Sequence, residues 1–380
     1  MNITPNDNSI SSQGRWKWFD KAKKRIGQKC LDMTPTYTHK ESARKLDNMR
    51  KADEFMSDPM WNRGIMGLTA LGTQPIIDYS NHKVDKETRE MIKENISYSY
   101  HLSLAYEIFQ TSVLIHDDII DNDNLRRGKN TIHYSNYLKY KSLNEQEAKK
   151  TSESIGICIG DYGFFKVNEI IIKHYKDAPN FSKLFDYYND IVLKTVEGEL
   201  VDVVLSFESK YKNINNLEDN IMTVYKLKTA FYSIIGPLNL GLILGGIDQK
   251  KLDDIHKFGE NVGIAFQIQD DILGIYSDMG KVVGSDIKEY KQTILFSYTM
   301  KNEKYKDELL IYYGKENIGE NEIAETRRIF KESGAYDYAI NLMNKMYDEG
   351  INIIKNIDWI KDEDKNIIFG FLEYLRQRKT

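Results

Sequence analysis

Residues 105–129 read AYEIFQTSVLIHDDIIDNDNLRRGK, so that apolar sequence leads into a cluster of acids and then into basic residues. No glycine or proline occurs between residues 76 and 127. Apolar side chains recur there at helical spacing, at Ile92, Ile96, Leu102, Ala105, Ile108, Phe109, Val113 and Ile120. A strand would instead alternate apolar and polar residues. The segment therefore predicts one long helix whose last turn carries the acids.

The rest of the chain favours helices as well. Its 380 residues include only six prolines, none of them after Pro237, and alternating strand patterns are absent. Polar breaks at 213–220 and 301–306 predict loops between helices. Because no repeat, low-complexity linker or domain boundary is evident, we expect an all-α fold, built as one large bundle. Residues 1–12 are expected to be disordered, and residues 13–380 to form the single domain.

Composition narrows the class of protein. A hydrophobic fraction of 41% with 29% charged residues is typical of a soluble globular chain, and a net charge of −4 leaves no overall basic field for nucleic acid. Two distant cysteines, Cys30 and Cys158, favour a reducing compartment. We therefore expect a cytoplasmic protein, with organellar targeting by the basic residues 15–29 as the alternative. The uncharged segment 229–247 contains Pro237 and predicts an interrupted core helix, so no transmembrane segment is expected.

The first acidic cluster has the spacing of a cation site. On a helix, Asp117 and Asp121 are four residues apart, so their carboxylates lie on the same face. Acids this close repel one another unless water or a divalent cation lies between them. Oxygen ligands of this kind suit Mg²⁺, which also binds substrate phosphates. The alternative, equally open from these residues alone, is a solvated helix end.

A second acidic cluster makes the cation site more credible. Phe266–Asp271 reads FQIQDD and again ends an apolar helical segment, with Lys281, Asp286 and Lys291 beyond it. Carboxylates bind cations, whereas the lysines and arginines near both clusters bind phosphate oxygens. Together the two clusters predict a site for a magnesium diphosphate.

The sequence resembles the trans-isoprenyl diphosphate synthases, the family of farnesyl, geranylgeranyl and polyprenyl diphosphate synthases, from about Asn62 to the C-terminus. The resemblance rests on five segments in order, namely DDxxD (Asp117, Asp118, Asp121), RRGK (Arg126 to Lys129), Gly160-Asp161, Lys228-Thr229-Ala230 and FQIQDD. It implies an all-α isoprenoid synthase fold with a central active-site cavity. It also implies head-to-tail condensation of isopentenyl diphosphate with a dimethylallyl, geranyl or farnesyl diphosphate, releasing diphosphate. A homodimer and three Mg²⁺ per site, replaceable by Mn²⁺, are implied as well.

The resemblance assigns roles by motif. The metal ligands would be Asp117, Asp118, Asp121, Asp270 and Asp271. The allylic diphosphate would bind to Arg126, Lys228, Lys281 and Lys291. Isopentenyl diphosphate would bind to Asn62, Arg63, Gln110 and Arg127. The catalytic residues would be Lys228, Thr229 and Gln267, of which the Thr229 hydroxyl and the Gln267 side-chain carbonyl would stabilise the allylic cation.

Four positions depart from the farnesyl synthase pattern, at three places in the chain. Pro59 and Met60 stand where that pattern has a glycine and a lysine that contacts isopentenyl diphosphate. Gly274 stands where the second motif has its third aspartate, and Glu199 where glutamine is common. The first two departures predict weaker isopentenyl and metal binding.

Product length is predicted from the helix before Asp117. Farnesyl synthases resemble one another in carrying bulky aromatics at the positions of Ser112 and Val113, which are small here. Phe109, one turn deeper, is then the expected floor, which predicts a geranylgeranyl or longer product. The alternatives are a farnesyl synthase, a non-catalytic regulatory subunit of a heteromeric synthase, and a class I terpene cyclase or head-to-head synthase of similar fold. Both acidic motifs argue against a regulatory subunit, and the isopentenyl-site arginines against a cyclase.

Overall fold

The computed structural model describes residues 86–126, 128–211, 214–276, 284–315, 318–360 and 362–377, with backbone only for 86–100 and for positions 363, 364, 367 and 374. Expectations for Asn62, Arg63, Arg127, Lys281, Met60 and residues 1–12 lie outside these ranges.

The described chain is helical apart from one small hairpin, as the sequence predicted. The helices before the central segment are α1 (Lys86–Ile120), α2 (Ile132–Tyr140), α3 (Glu145–Tyr175), α4 (Phe181–Glu208) and α5 (Leu217–Val224). A π-helix (Tyr225–Ile235) leads into α6 (Gly236–Leu244) and α7 (Gln249–Tyr276). The helices after them are α8 (Ser285–Lys288), α9 (Ile294–Met300), α10 (Lys306–Tyr312), α11 (Glu320–Glu332), α12 (Ala335–Asn356) and α13 (Asp362–Gln377). That these elements form one domain stays a prediction.

Helices α1 and α3 pack at unusually short distance because α3 presents glycines to α1. A Cβ built on Gly160 would overlap the ring of His116, and one built on Gly163 would overlap Ser112 Oγ. Only glycine allows so close an approach. His116 also hydrogen-bonds the carbonyl of Ile157 at 3.1 Å, which fits the helix residue expected for it. The contact fixes the wall of the bundle beside the first acidic motif.

The uncharged central segment is a buried core helix, as predicted, but it is continuous where an interruption was expected. The π-helix passes directly into α6, and Pro237 lies in the first turn of α6. The most apolar 18 residues of the continuous helix Leu217–Leu244 have a mean hydropathy of 1.4, and 78% of them are buried inside the protein. Burial of this extent is typical of a core helix, although the run is long enough to cross a bilayer.

Two local predictions differ from the structure. The predicted loop 213–220 ends early, because α5 begins at Leu217 with Glu218 and Asp219 in its first turn. Acids there stabilise the helix N-terminus, which the sequence-based interpretation overlooked. The hairpin of β1 (Leu125–Arg126) and β2 (Lys129–Asn130) was also not predicted, since strands of two residues show no alternation. Its turn requires Gly128, whose φ is +74°.

Candidate active site

The first acidic motif lies at the C-terminal end of α1 and is held by a neighbouring arginine. Asp118 is buried, whereas Asp117 and Asp121 are partly exposed. Arg126, on β1, donates from a terminal nitrogen to Asp117 Oδ2 at 2.7 Å and from Nε to Asp118. The hairpin therefore places this guanidinium beside the acids at the C-terminal end of α1.

Lys228 is surrounded by acids. It lies on the π-helix, and its ammonium is 2.7 Å from Asp202 Oδ2, 2.8 Å from Glu199 Oε2 and 3.3 Å from Asp117 Oδ1. Burial alone would lower the pKa of Lys228, but these carboxylates raise it well above its usual range. Lys228 is therefore a permanent cation within the first acidic motif. Asp202 was not singled out from the sequence, although its three-residue spacing from Glu199 on α4 was a signal.

Lys291 joins the two halves of the site. It follows α8, and its ammonium donates to Asp121 Oδ2 at 2.7 Å, across 170 positions of sequence. Glu289 Oε2 lies 3.5 Å from the same ammonium. Burial would lower the pKa of Lys291, but Asp121 and Glu289 raise it well above its usual range. The segment beyond the second motif is thereby tied to the end of α1.

The two aspartates of the second motif differ in their burial and in their hydrogen bonds. Asp270 is half-buried, whereas Asp271 is buried and accepts hydrogen bonds from Tyr225 OH and from Gln267 Nε2, the latter at 2.9 Å. Thr229 Oγ1 donates to Gln267 Oε1 at 2.6 Å, so the predicted pair of Thr229 and Gln267 is in direct contact. Asp271 therefore holds Gln267 in place, and its expected role as a metal ligand stays a prediction.

The acid missing at Gly274 has a counterpart elsewhere in the chain. A Cβ built on Gly274 would lie 2.7 Å from Asp286 Oδ2, so this carboxylate passes directly over the glycine. Asp286 reaches it from α8, which begins after Gly284 with φ +84°. The sequence placed Asp286 beyond the motif but gave no sign that the chain returns there.

The donor set fits divalent cations. Seven acids of the described residues contact Arg126, Lys228 or Lys291; they are Asp117, Asp118, Asp121, Asp123, Glu199, Asp202 and Glu289. Oxygen atoms of Asp121, Asp123 and Glu289 lie within 4.8 Å of one another. An excess of carboxylates at this distance is the oxygen-only environment that Mg²⁺ prefers.

Burial raises the pKa values of two of these acids, so that Glu289 keeps its proton at neutral pH when no cation is bound, whereas Glu199 is about half ionised. Burial raises the pKa of Glu289 to about 9 and that of Glu199 to about 7. Burial, with a further contribution from Asp286, raises the pKa of Asp271 to about 7. A divalent cation would supply the positive charge that lets such groups ionise.

The predicted product-length residues lie on different faces of α1. Phe109 is fully buried and contacts the rings of Tyr106, Phe164 and Tyr188 at centroid distances of 5.5, 6.0 and 5.8 Å. Val113 is half-buried. Ser112 donates to the carbonyl of Ile108 at 2.8 Å and faces α3. The role of all three in product length stays a prediction.

Gln110 is buried in the same helix, and its role toward isopentenyl diphosphate likewise stays a prediction.

An all-α bundle with two acidic motifs and largely buried lysines beside the first of them defines a metal-dependent enzyme of diphosphate chemistry. Comparison with known proteins agrees. The polyprenyl synthetase family matches residues 79–330. Over 289 residues the chain is 30% identical to the geranylgeranyl diphosphate synthase of Sulfolobus acidocaldarius, which covers 74% of this chain and 81% of the relative. Over 273 residues it is 25% identical to the mitochondrial farnesyl pyrophosphate synthase 1 of Arabidopsis thaliana, which covers 70% of this chain and 66% of the relative.

The fold is that of a solved relative. The geranylgeranyl pyrophosphate synthase from Corynebacterium glutamicum, in complex with isoprenyl diphosphate and magnesium, superposes with a TM-score of 0.80 at 22% identity, over 95% of this chain and 99% of the other. The chain belongs to the polyprenyl synthetase family, the trans-isoprenyl diphosphate synthases. It is a magnesium-dependent prenyltransferase, and the substrates of its family are isopentenyl and allylic diphosphates.

Proposed function

We propose that this prenyltransferase extends an allylic diphosphate head to tail with isopentenyl diphosphate, to geranylgeranyl length or longer. The observation that carries the proposal is the pair of largely buried lysines, Lys228 and Lys291, each in contact with an acid of the first motif. Cations in this position can bind the diphosphate of the allylic substrate while the acids bind its metal ions.

Ionisation of the allylic substrate comes first. The bond between its C1 and the diphosphate oxygen breaks, and the electron pair leaves with the diphosphate. Arg126, Lys228 and Lys291 stabilise the charge that develops there, and electrostatic stabilisation of this kind is usually the largest contribution to catalysis. Bound Mg²⁺, expected at three per site and replaceable by Mn²⁺, adds Lewis-acid stabilisation of the same leaving group.

The allylic cation that remains is stabilised by oxygen lone pairs and does not need a basic side chain. Thr229 Oγ1 and Gln267 Oε1, in contact at 2.6 Å, present lone pairs to it. The double bond of isopentenyl diphosphate attacks C1, and the released diphosphate takes the proton lost from the new chain. No side chain acts as a general base, so the hydrogen-bonded His116 has no part in the reaction.

Product length would be set by the aromatic cluster below the first motif, defined as Tyr106, Phe109, Phe164 and Tyr188. The rings of Phe164 and Tyr188 come from α3 and α4, so the sequence of α1 alone did not show them. The hydroxyl of Tyr106 is tied to the carbonyl of Tyr232 at 2.7 Å, which makes this floor rigid. Val113 above it leaves the first helical turn open to the growing chain.

A second copy of the chain would cover the apolar stripe of α4. Leu193, Leu200 and Phe207 are each at least 60% exposed and recur every seven residues, so they form one face. A self-complementary face of this kind suits a two-fold homodimer. In light scattering, Leu200→Asp should convert a dimer to a monomer, whereas Leu143→Asp, at a leucine that is even more exposed, should not. A wild-type monomer would refute the dimer. Cytoplasmic location remains a prediction.

The proposal is tested by turnover. Purified protein with Mg²⁺, labelled isopentenyl diphosphate and each allylic primer should yield a prenyl diphosphate, and the dephosphorylated product should migrate as a C20 or longer alcohol. Clean termination at the C15 alcohol would leave the prenyltransferase intact but overturn the proposed length. Absence of any condensation by folded protein would overturn the proposal as a whole.

A further inference from the structure

The Lys228 ammonium is enclosed by carboxylates. An ammonium group offers three donors; Lys228 donates to Asp202, and carboxylate oxygens of Glu199 and Asp117 lie within 3.3 Å of it. A phosphate oxygen that binds this lysine therefore competes with these carboxylates. Asp117 belongs to the metal motif. The acids that compete with phosphate for the lysine are therefore Glu199 and Asp202 of α4.

Glu199 is held against Lys228 by the residue before it. A Cβ built on Gly198 would lie 2.7 Å from the carbonyl carbon of Leu227 and closer still to the backbone nitrogen of Lys228. Helix α4 and the π-helix thus meet backbone to backbone at this point. Glu199, one residue along, has a side chain only 19% exposed, and its Oε1 is buried without a hydrogen-bond partner. The glutamate therefore has no alternative solvated position beside the lysine.

Charge distinguishes this glutamate from a glutamine of the same shape. A glutamine could still accept one hydrogen bond from Lys228, but it would neither form an ion pair with the lysine nor repel an incoming diphosphate. Hydrogen bonds to charged partners are stronger than those to neutral ones. The carboxylate consequently holds Lys228 more firmly than an amide would.

We propose that Glu199 competes with diphosphate for the Lys228 ammonium and so lowers the affinity of the enzyme for its diphosphate ligands. The inference rests on the proposed function, in which Lys228 binds the allylic diphosphate. Glu199 acts through Lys228 and is therefore a positioning residue. Its effect falls on the affinity for the allylic substrate and for the diphosphate product.

Calorimetric titration of inorganic pyrophosphate in the presence of Mg²⁺ tests the proposal. Because one ion pair no longer has to be displaced, Glu199→Gln should bind pyrophosphate about tenfold more tightly than the wild type. The matched control is Glu197→Gln, which removes the same charge from an exposed position of α4 and should leave the affinity unchanged. The Michaelis constant for the allylic primer should fall in Glu199→Gln, and that for isopentenyl diphosphate should not.

A double-mutant cycle with Lys228→Met separates competition from simple repulsion. Without the lysine, Glu199→Gln should give no gain in pyrophosphate affinity. An equal gain in both backgrounds would overturn the competition, and so would an unchanged affinity of the folded single variant. If Lys228→Met binds pyrophosphate as tightly as the wild type, the assignment of Lys228 in the proposed function fails instead.

Discussion

Replacement of Phe109 should lengthen the product, because this ring of the aromatic cluster lies one helical turn below Val113 on α1. Successive positions on one face of a helix, four residues apart, are separated by about 6 Å along the axis. This is close to the length of one extended isoprene unit. Removing the ring exposes the next turn, where Ala105 is small, so Phe109→Ala should add at least one five-carbon unit.

Truncation also weakens the fold, and the assay must allow for it. Replacing a fully buried phenylalanine by alanine costs about 3–5 kcal/mol of stability. Phe109→Leu is the milder companion variant. Phe330→Ala is the matched control, since Phe330 is equally buried but lies on α11, away from the first motif. It should lose similar stability without any change in product.

Chromatography of the dephosphorylated products, together with a thermal melt of each variant, gives the result. We expect longer alcohols from Phe109→Ala and Phe109→Leu, and shorter ones from Val113→Phe, which brings an aromatic ring one turn closer to Asp117. An unchanged product distribution from folded Phe109→Ala would refute the assignment of the floor to this cluster.

Three further predictions concern the acidic site. Asp117→Asn should lower turnover by orders of magnitude and weaken Mn²⁺ binding measured by electron paramagnetic resonance, while the circular dichroism spectrum stays that of the wild type. In metal-free buffer, the melting temperature should fall as the pH rises from 6 to 9. The reason is that folded Glu289, with a pKa of about 9, holds a proton that the unfolded chain has released. Glu289→Gln should flatten this pH dependence, and an unaltered slope would contradict the prediction. Gly274→Asp should impair Mn²⁺ binding, because the new side chain would clash with Asp286 and repel its carboxylate. A second change, Asp286→Gly, should restore Mn²⁺ binding. Failure of the double variant to bind Mn²⁺ would show that the two positions are not interchangeable.

Local features of the site could be predicted from sequence because they depend on helical periodicity. The four-residue spacing of Asp117 and Asp121 placed both acids at one end of α1, and the uncharged segment around Pro237 indicated a buried core helix. The resemblance to a family then brought Thr229 and Gln267 into one site, and the structure confirms that they touch. Each of these inferences needed only neighbours in sequence or a known motif.

Long-range pairings could not be predicted in the same way. The contact of Lys291 with Asp121 depends on the packing of helices far apart in sequence. The placement of Asp286 over Gly274 depends on the turn at Gly284. The π-helix adds residues to each turn without any change in hydrophobic pattern, so it left no trace in the sequence.

Condensation itself is the most direct measurement. Purified full-length protein is incubated with labelled isopentenyl diphosphate and farnesyl diphosphate, with Mg²⁺ or with a chelator, and wild type is compared with Asp117→Asn. The account predicts a labelled allylic diphosphate of at least twenty carbons, formed only with the metal and only by the wild type. Folded wild-type protein that transfers no label to dimethylallyl, geranyl or farnesyl diphosphate, or that does so equally well with the chelator, would contradict it.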